Sequence, residues 1–362
     1  MDPFVYSHQN RGTIVWMSQN TNTIFTTPAI SEAILAAVQE QEYNLYPYSK
    51  GIFGLPEAIK EDLGVSDYDI LLTNGGIEGL YILNRALLSR GNEVITTDPS
   101  FMPIHHQVTL SKAKTVELPV YSKPWKMTVD QINEAVTEKT KMILLIDPLN
   151  PLGTGYSRDE VRAISEIASD KDLFLVDDIT YRDFADEHHL TSEFYPEKSI
   201  LVYTFSKNCG LAGMRIGAFL AEPELMKSLV HYNTNVLSVN VLAQRGALAA
   251  LRTKKEWIST MVEVCRRNQA AIKKAVEKCP GAFLPVYPSM TNMFVIDIGN
   301  TGADPESIQE KLLFEHNVFL RAGNYVSKRF GKRFVRVSFS VPEEQCSKFV
   351  HAFPRVMAEL SR

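Results

Sequence analysis

The sequence predicts a large α/β domain followed by a smaller α+β unit, and three observations carry that reading. Apolar, β-rich runs alternate with helix-length segments from about residue 68 onward. That alternation breaks near residue 250 into one long amphipathic helix. The chain has 362 residues, 45% hydrophobic and 22% charged, which is apolar material for one large or two moderate cores.

The first 30 residues, rich in Asn, Gln and Thr, read as an arm with no core of its own that must lie on another part of the fold. DILLT (69–73) reads as a strand entering a helix over 76–89, followed by strands EVITTD (93–98) and KTVELPV (114–120). A helix near 128–137, the strand KMILLID (141–147) and a helix over 157–170 come next. LFLVDD (173–178), SILVYTF (199–205) and RIGAFLAE (215–222) complete seven β-rich runs. Strands apolar throughout and spaced by helices belong to a mostly parallel sheet, because crossover helices cover both its faces. EWISTMVEVCRRNQAAIKKAVEKC (256–279) keeps helical periodicity until Pro280 and Gly281 stop it. MFVIDIG, a helix over 305–315, VFLRAG, RFVRVSFS and a last helix from 342 form the smaller unit. The expected organisation is an arm over 1–30, a large domain over 31–250 and a small domain over 251–362.

Several function classes are disfavoured. A net charge of -4 and a pI near 6.1 provide no general attraction for nucleic acid or anionic lipid. The densest basic run, SKRFGKRF at 327–334, reads as a solvated turn. Cysteines 209, 265, 279 and 346 lack CxxC spacing, and MDPFVYSHQNRG has no basic region leading into an apolar one, so a reduced cytoplasmic setting is expected. No apolar run approaches the ~20 residues that span a bilayer. His105-His106 and His188-His189 point to different faces and lack further ligands at metal spacing, so no metal is expected.

Ligands of open parallel sheets bind beyond the carboxyl ends of the strands, which directs attention to five strand-to-loop junctions. In LLTNGGIEGLYIL (71–83), Gly75 and Gly76 leave amides uncovered at a helix N-terminus, a seat for phosphate or simply a tight turn. TTDPSF (96–101) presents Phe101, either core filler or a flat face for a ring. IDPLNPLGTGYS (146–157) fixes Asn150 between two prolines, as a turn residue or as an amide held at a stiff position. VDDITYRDF (176–184) ends an apolar strand on an acidic pair, so Asp178 and Tyr181 either share a crevice or take part in a structural ion pair. YTFSKNCGLAGMRIG (203–217) sets Lys207 near glycines and Arg215. A lysine attacks a carbonyl carbon only as neutral amine, and a dry pocket or a nearby cation favours that form.

The ordered set TNGGxEG, PSF, NPLG, DxxYxxF and SKxxGLAGMRIG resembles the class I/II aminotransferases, fold-type I enzymes that use pyridoxal 5'-phosphate. The likeness covers nearly the whole chain, and NLYPYSKGIFGLPEAI looks most like the histidinol-phosphate aminotransferase branch and its short aspartate and aromatic relatives. It implies the fold-type I architecture, with a mostly parallel seven-stranded sheet between helices. By matched position, Lys207 would bond to the cofactor's aldehyde and later move the proton between the substrate α-carbon and the cofactor. Asp178 would pair with the ring nitrogen, Tyr181 and Asn150 would donate to the ring's 3-oxygen, and Phe101 would stack on the ring. The phosphate would rest on the amides of Gly76 and Ile77 with Thr204, Ser206 and Arg215, while Tyr46 would reach it from the second subunit of a homodimer. Arg336 would grip the substrate carboxylate, Asn20 would touch the substrate, and Arg321 would serve a second anion.

The sequence departs from the family pattern in three places: Gly76 and Ile77 replace small polar residues at the phosphate turn, Ile179 replaces a glutamate, and Phe101 stands where tyrosine is frequent. None removes a required catalytic group. The resemblance implies transfer of an amino group between an L-amino acid and a 2-oxo acid in ping-pong half-reactions, on histidinol phosphate, aspartate or an aromatic amino acid. A lyase or decarboxylase acting on the same scaffold, for instance on a phosphorylated amino acid, is the alternative. A transcription regulator would need an appended helix-turn-helix, and the chain begins at the arm. A nicotinamide dehydrogenase would need GxGxxG at the first βα turn.

Overall fold

The computed structural model describes residues 1–24 and 27–361. Its strands in chain order are β1 (Val15–Trp16), β2 (Asp69–Thr73), β3 (Glu93–Asp98), β4 (Lys114–Pro119), β5 (Thr140–Ile146), β6 (Phe174–Asp178), β7 (Ser199–Thr204), β8 (Gly217–Ala221), β9 (Met293–Asp297), β10 (Val318–Phe319), β11 (Arg321–Ala322) and β12 (Phe334–Ser338). Seven of them form one sheet in the order β2-β8-β7-β6-β5-β3-β4. Every pairing from β4 to β7 is parallel, whereas β8 lies antiparallel to both β7 and β2. β7 and β8 are joined without an intervening α-helix, so the chain turns back beside itself instead of crossing over.

The sheet is covered on both faces, and the alternation along its central strands shows it. Leu201 and Tyr203 of β7 enter one apolar core, while Ile200 and Val202 enter the other; Leu220 and Phe219 of β8 divide in the same way. Each such fully buried Leu or Phe contributes on the order of 1.5–3 kcal/mol.

Helices Gly76–Leu87, Val129–Ala135, Arg158–Asp170, Lys254–Val276, Pro305–His316 and Glu343–Leu360 lie where periodicity places them. Six more were not anticipated: Pro28–Gln39, Leu55–Leu63, Pro103–Leu110, Pro223–Leu229, Val241–Arg252 and, within the arm, Pro3–Gln9. The first four carry proline in their opening turn, a start signal because proline's missing N–H would be unpaired there in any case.

β11, β12 and β9 form a second, antiparallel sheet. The arm lies against this part of the molecule: β1 pairs parallel with β10, and Ser338 donates its amide to Met17 O at 2.8 Å. Asn268, on the long helix, donates to Phe339 O (2.9 Å) and Val341 O (2.7 Å), tying that helix to the end of β12.

Candidate active site

A cavity of about 550 Å³ opens where β5, β6 and β7 end, at Ile146, Asp178 and Thr204. The N-terminus of helix Gly76–Leu87, the arm at residues 18–20, and Arg321, Tyr325 and Arg336 complete its wall. Every site residue expected from the sequence lines this cavity except Tyr46, which is 83% exposed on the outside of the subunit.

One end of the cavity is built to hold an anion. Gly76 and Ile77 open their helix, so their amides have no acceptor within it and the dipole there favours negative charge. Gly75 has φ +79, and a Cβ on it would lie 2.5 Å from Arg215 Nη2, so glycine is what lets the guanidinium rest against the turn. Arg215 also sits in the left-handed region (φ 56), with Nη1 donating to Ala212 O at 2.8 Å and Nη2 to Asn74 O at 3.3 Å. Thr204 Oγ1 donates to Ser206 Oγ at 3.1 Å, which sets two hydroxyls side by side. A Cβ on Gly217 would meet Gly76 N at 2.7 Å, so this glycine in β8 allows the helix N-terminus to approach the sheet.

Lys207 stands on the loop after β7, half-buried, its Nζ donating to Gln19 O at 3.1 Å. Burial, then the cations of Arg336 and Arg215, bring its pKa down to about 8, against a smaller opposing pull from Asp178. Burial pushes the Asp178 carboxyl up, while Thr180 restrains it through a 2.5 Å hydroxyl and a 3.2 Å amide hydrogen bond to Oδ1. Asp178 Oδ2 takes no hydrogen bond from the described residues.

Across the cavity the polar groups orient one another. Arg336 Nη1 donates to Asn150 Oδ1 at 3.2 Å and Nη2 to Ser18 O at 2.8 Å. With its oxygen engaged, Asn150 keeps its amide N–H groups for a ligand. Asn20, at φ 53, donates Nδ2 to Tyr181 OH at 3.3 Å, which leaves the phenol proton free to donate. Burial pushes the Tyr181 hydroxyl up to about 12, so it stays a donor at neutral pH. Phe101 lines the cavity and also packs on the core beneath it.

Arg321 and Arg336 face each other across the β11–β12 ladder. The Arg321 guanidinium lies 3.8 Å from the Tyr325 ring centroid and 4.7 Å from that of Phe4. Among the described residues, the buried Nε atoms of Arg321 and Arg336 have no partner. Sequence reasoning missed Phe4, Thr180 and Tyr325; Thr180 alone had a signal, as a hydroxyl two residues beyond the strand-terminal acid.

The family model for aminotransferase class I and II matches residues 12–353. This chain belongs to that family. As an aminotransferase it is 27% identical over 346 residues to the aspartate aminotransferase of Pyrococcus horikoshii, covering 92% of this chain and 87% of the relative. It is 30% identical over 310 residues to the histidinol-phosphate aminotransferase of Staphylococcus saprophyticus, covering 84% and 83%. The fold superposes on the aromatic aminotransferase of Pyrococcus horikoshii with a TM-score of 0.84 at 24% identity, covering 96% of each chain.

Members of this aminotransferase family depend on pyridoxal phosphate. The donor set fits that molecule: amides, two hydroxyls and a guanidinium suit a phosphate dianion, a buried carboxylate suits a protonated ring nitrogen, and a lysine of lowered pKa suits an aldehyde.

Proposed function

We propose that this aminotransferase takes amino donors carrying a second anionic group, a side-chain carboxylate as in aspartate and glutamate or the phosphate of histidinol phosphate. The observation that supports this most is the pair Arg321 and Arg336, opposite one another in the ladder and with no ion pair to either among the described residues. Like charges directly across a ladder repel, so the pair is stabilised by bringing anions to it. A donor with a purely aromatic side chain would leave Arg321 half-buried without a counter-charge, which disfavours the aromatic reading.

In this reading Thr204, Ser206, Arg215 and the amides of Gly76 and Ile77 hold the cofactor phosphate. Asp178 would keep the ring nitrogen protonated, Asn150 and Tyr181 would donate to the ring oxygen, and Phe101 would cover the ring. Bound pyridoxal phosphate supplies a carbonyl that captures the substrate nitrogen and a conjugated ring that delocalises charge from the α-carbon. Arg336 binds the substrate carboxylate and, with Asn20, orients the α-carbon. Lys207, in its neutral form, would take the α-proton and return it on the other side of the transfer. Arg336 also disfavours decarboxylation, because its guanidinium stabilises the charged carboxylate that such a reaction would have to discharge.

The site is proposed to be shared in a homodimer. Tyr46 is exposed amid Tyr43, Leu45, Tyr48 and Phe53, an apolar patch suited to a second copy. A cytoplasmic setting is proposed from four buried, unpaired cysteines; among the described residues no helix is long and apolar enough to cross a membrane.

A panel of amino donors with 2-oxoglutarate tests the reading. Aspartate, glutamate or histidinol phosphate should exceed alanine and phenylalanine in kcat/KM by on the order of 10²-fold, the worth of one desolvated charge pair. Equal rates for phenylalanine and aspartate would overturn it.

A further inference from the structure

Behind the cavity lies a cluster of four charged side chains that the cofactor and substrate contacts do not use. Asp62, Arg182, Asp183 and Lys254 are each less than one-fifth exposed. Lys254 Nζ bridges Asp62 Oδ1 (2.6 Å) and Asp183 Oδ2 (2.8 Å), while Arg182 pairs with Asp62 and lies 3.5 Å from Asp183. Tyr203 OH donates to Asp62 at 3.0 Å. Burial alone would push the Asp183 carboxyl up, but Arg182 and Lys254 together outweigh it and hold the group below its ordinary range. Two acidic and two basic side chains make the cluster balanced in formal charge.

Buried ion pairs are poor stabilisers, since desolvation consumes most of what attraction returns, so stability alone is a weak reason for placing four charges here. Their position supplies a better one. Arg182 follows Tyr181 directly, and Asp183 accepts from Nδ2 of Asn208, the residue after Lys207. Asn208 is 4% exposed and has its other side-chain atom on the Cys209 amide at 2.8 Å, so both of its polar atoms are committed. The arm fixes the same loop from the other side: Asn22 donates its amide to Lys207 O (3.0 Å) and Nδ2 to Asn208 O (2.8 Å).

We propose that Asp183 and Asn208 are positioning residues for Lys207. Their hydrogen bond joins the loop carrying the amine to the turn carrying Tyr181, and Lys254 anchors that joint to the first turn of the long helix. The proposal rests on the catalytic role given to Lys207. The groups acting on the amine are Arg336 from β12, Arg215 from the glycine-rich loop and Asp178 from the end of β6, with the neutral Tyr181 beside them. An amine desolvated by burial and set beside two arginines is more easily deprotonated than one in water. An amine on a loosened loop moves toward water and regains protons.

Asn208→Ala tests this without removing a charge, since Asp183 keeps Lys254 and Arg182. In the full-length protein stripped of cofactor, the pH dependence of reductive methylation at Lys207 is followed by peptide mass spectrometry. The midpoint should lie near 8 in the parent, and in Asn208→Ala it should rise by about one unit, tenfold in proton affinity, with the thermal midpoint little changed. In the holoenzyme, kcat should fall while KM for the donor stays, because Arg336 is untouched. An unaltered labelling midpoint in a folded Asn208→Ala protein would overturn the proposal. If Lys207 proves uncatalytic but the midpoint still moves, the function assignment fails and the positioning contact stands. Asp183→Ala, which removes the acceptor, serves as a second variant: folded, it should show the same shift, and a folded protein without it would count equally against the idea.

Discussion

Arg321 and Arg336 occupy directly opposed positions on β11 and β12, both on the cavity wall, and neither makes an ion pair among the described residues. Tyr325 lies between them, its ring centroid 3.8 Å from one guanidinium carbon and 5.8 Å from the other. Replacing Arg321 by glutamine should therefore act on part of the substrate range only. For a dianionic donor kcat/KM should fall by roughly 10²-fold, and for alanine it should change by less than about threefold. Steady-state kinetics on the two donors decide it: a uniform loss would place Arg321 outside the substrate contacts.

Arg336 differs, because every amino acid donor brings an α-carboxylate. Its Nη atoms are already oriented by Asn150 and Ser18, an arrangement that presents the planar fork in one direction. Arg336→Lys keeps the charge but loses the fork, so kcat/KM should drop for all α-carboxylate donors by on the order of 10²–10³-fold. Pyridoxal phosphate should still bind, as its absorbance after addition will show, since the lysine keeps the positive charge and no residue assigned to the cofactor is removed. Near-parent activity in the lysine variant would refute bidentate binding.

The pKa near 8 at Lys207 fixes the sign of a pH effect. Below that value the amine is mostly protonated and cannot attack the aldehyde; above it the neutral form dominates. Covalent capture of added pyridoxal phosphate by the stripped protein should rise about tenfold per pH unit up to about 8 and then level off. A free lysine would keep gaining rate to about pH 10. Trapping with borohydride and peptide mapping measures this, and Lys207→Ala should bind cofactor without capturing it and show no turnover. Continued increase beyond pH 9 would mean that burial and the neighbouring arginines do not lower the pKa of the amine.

The chemistry-bearing junctions were legible because each is local: Asn150 between prolines, Asp178 at a strand end, Lys207 before a glycine-rich loop. The seven strands of the main sheet were legible for the same reason, since strands buried on both faces are apolar throughout. Phe4 and Tyr325 were not, because their roles come from a register between the arm, the segment after β11 and Arg321 that no short-range pattern encodes. The cluster of Asp62, Arg182, Asp183 and Lys254 escaped notice on similar grounds: its members are 192 residues apart at the extreme, and each reads singly as a surface charge. The helices at 28–39, 55–63, 103–110 and 223–229 were passed over although proline marked each start.

Tyr46 tests the shared site. It is 83% exposed and lies outside the cavity of its own subunit, so any contact with cofactor must be made in a neighbouring copy. Tyr46→Ala should weaken cofactor retention by about 1–2 kcal/mol, the loss of one hydrogen bond to a charged group. Lys207→Ala should be inactive. When the two variants are unfolded, mixed and refolded together, hybrid dimers contain one site with both residues intact: Lys207 from the Tyr46 variant and Tyr46 from the Lys207 variant. Activity at limiting cofactor should then exceed the sum of the separately refolded variants. Strict additivity in a sample shown by light scattering to be dimeric would mean that each subunit completes its site alone, and Tyr46 would be only an interface residue.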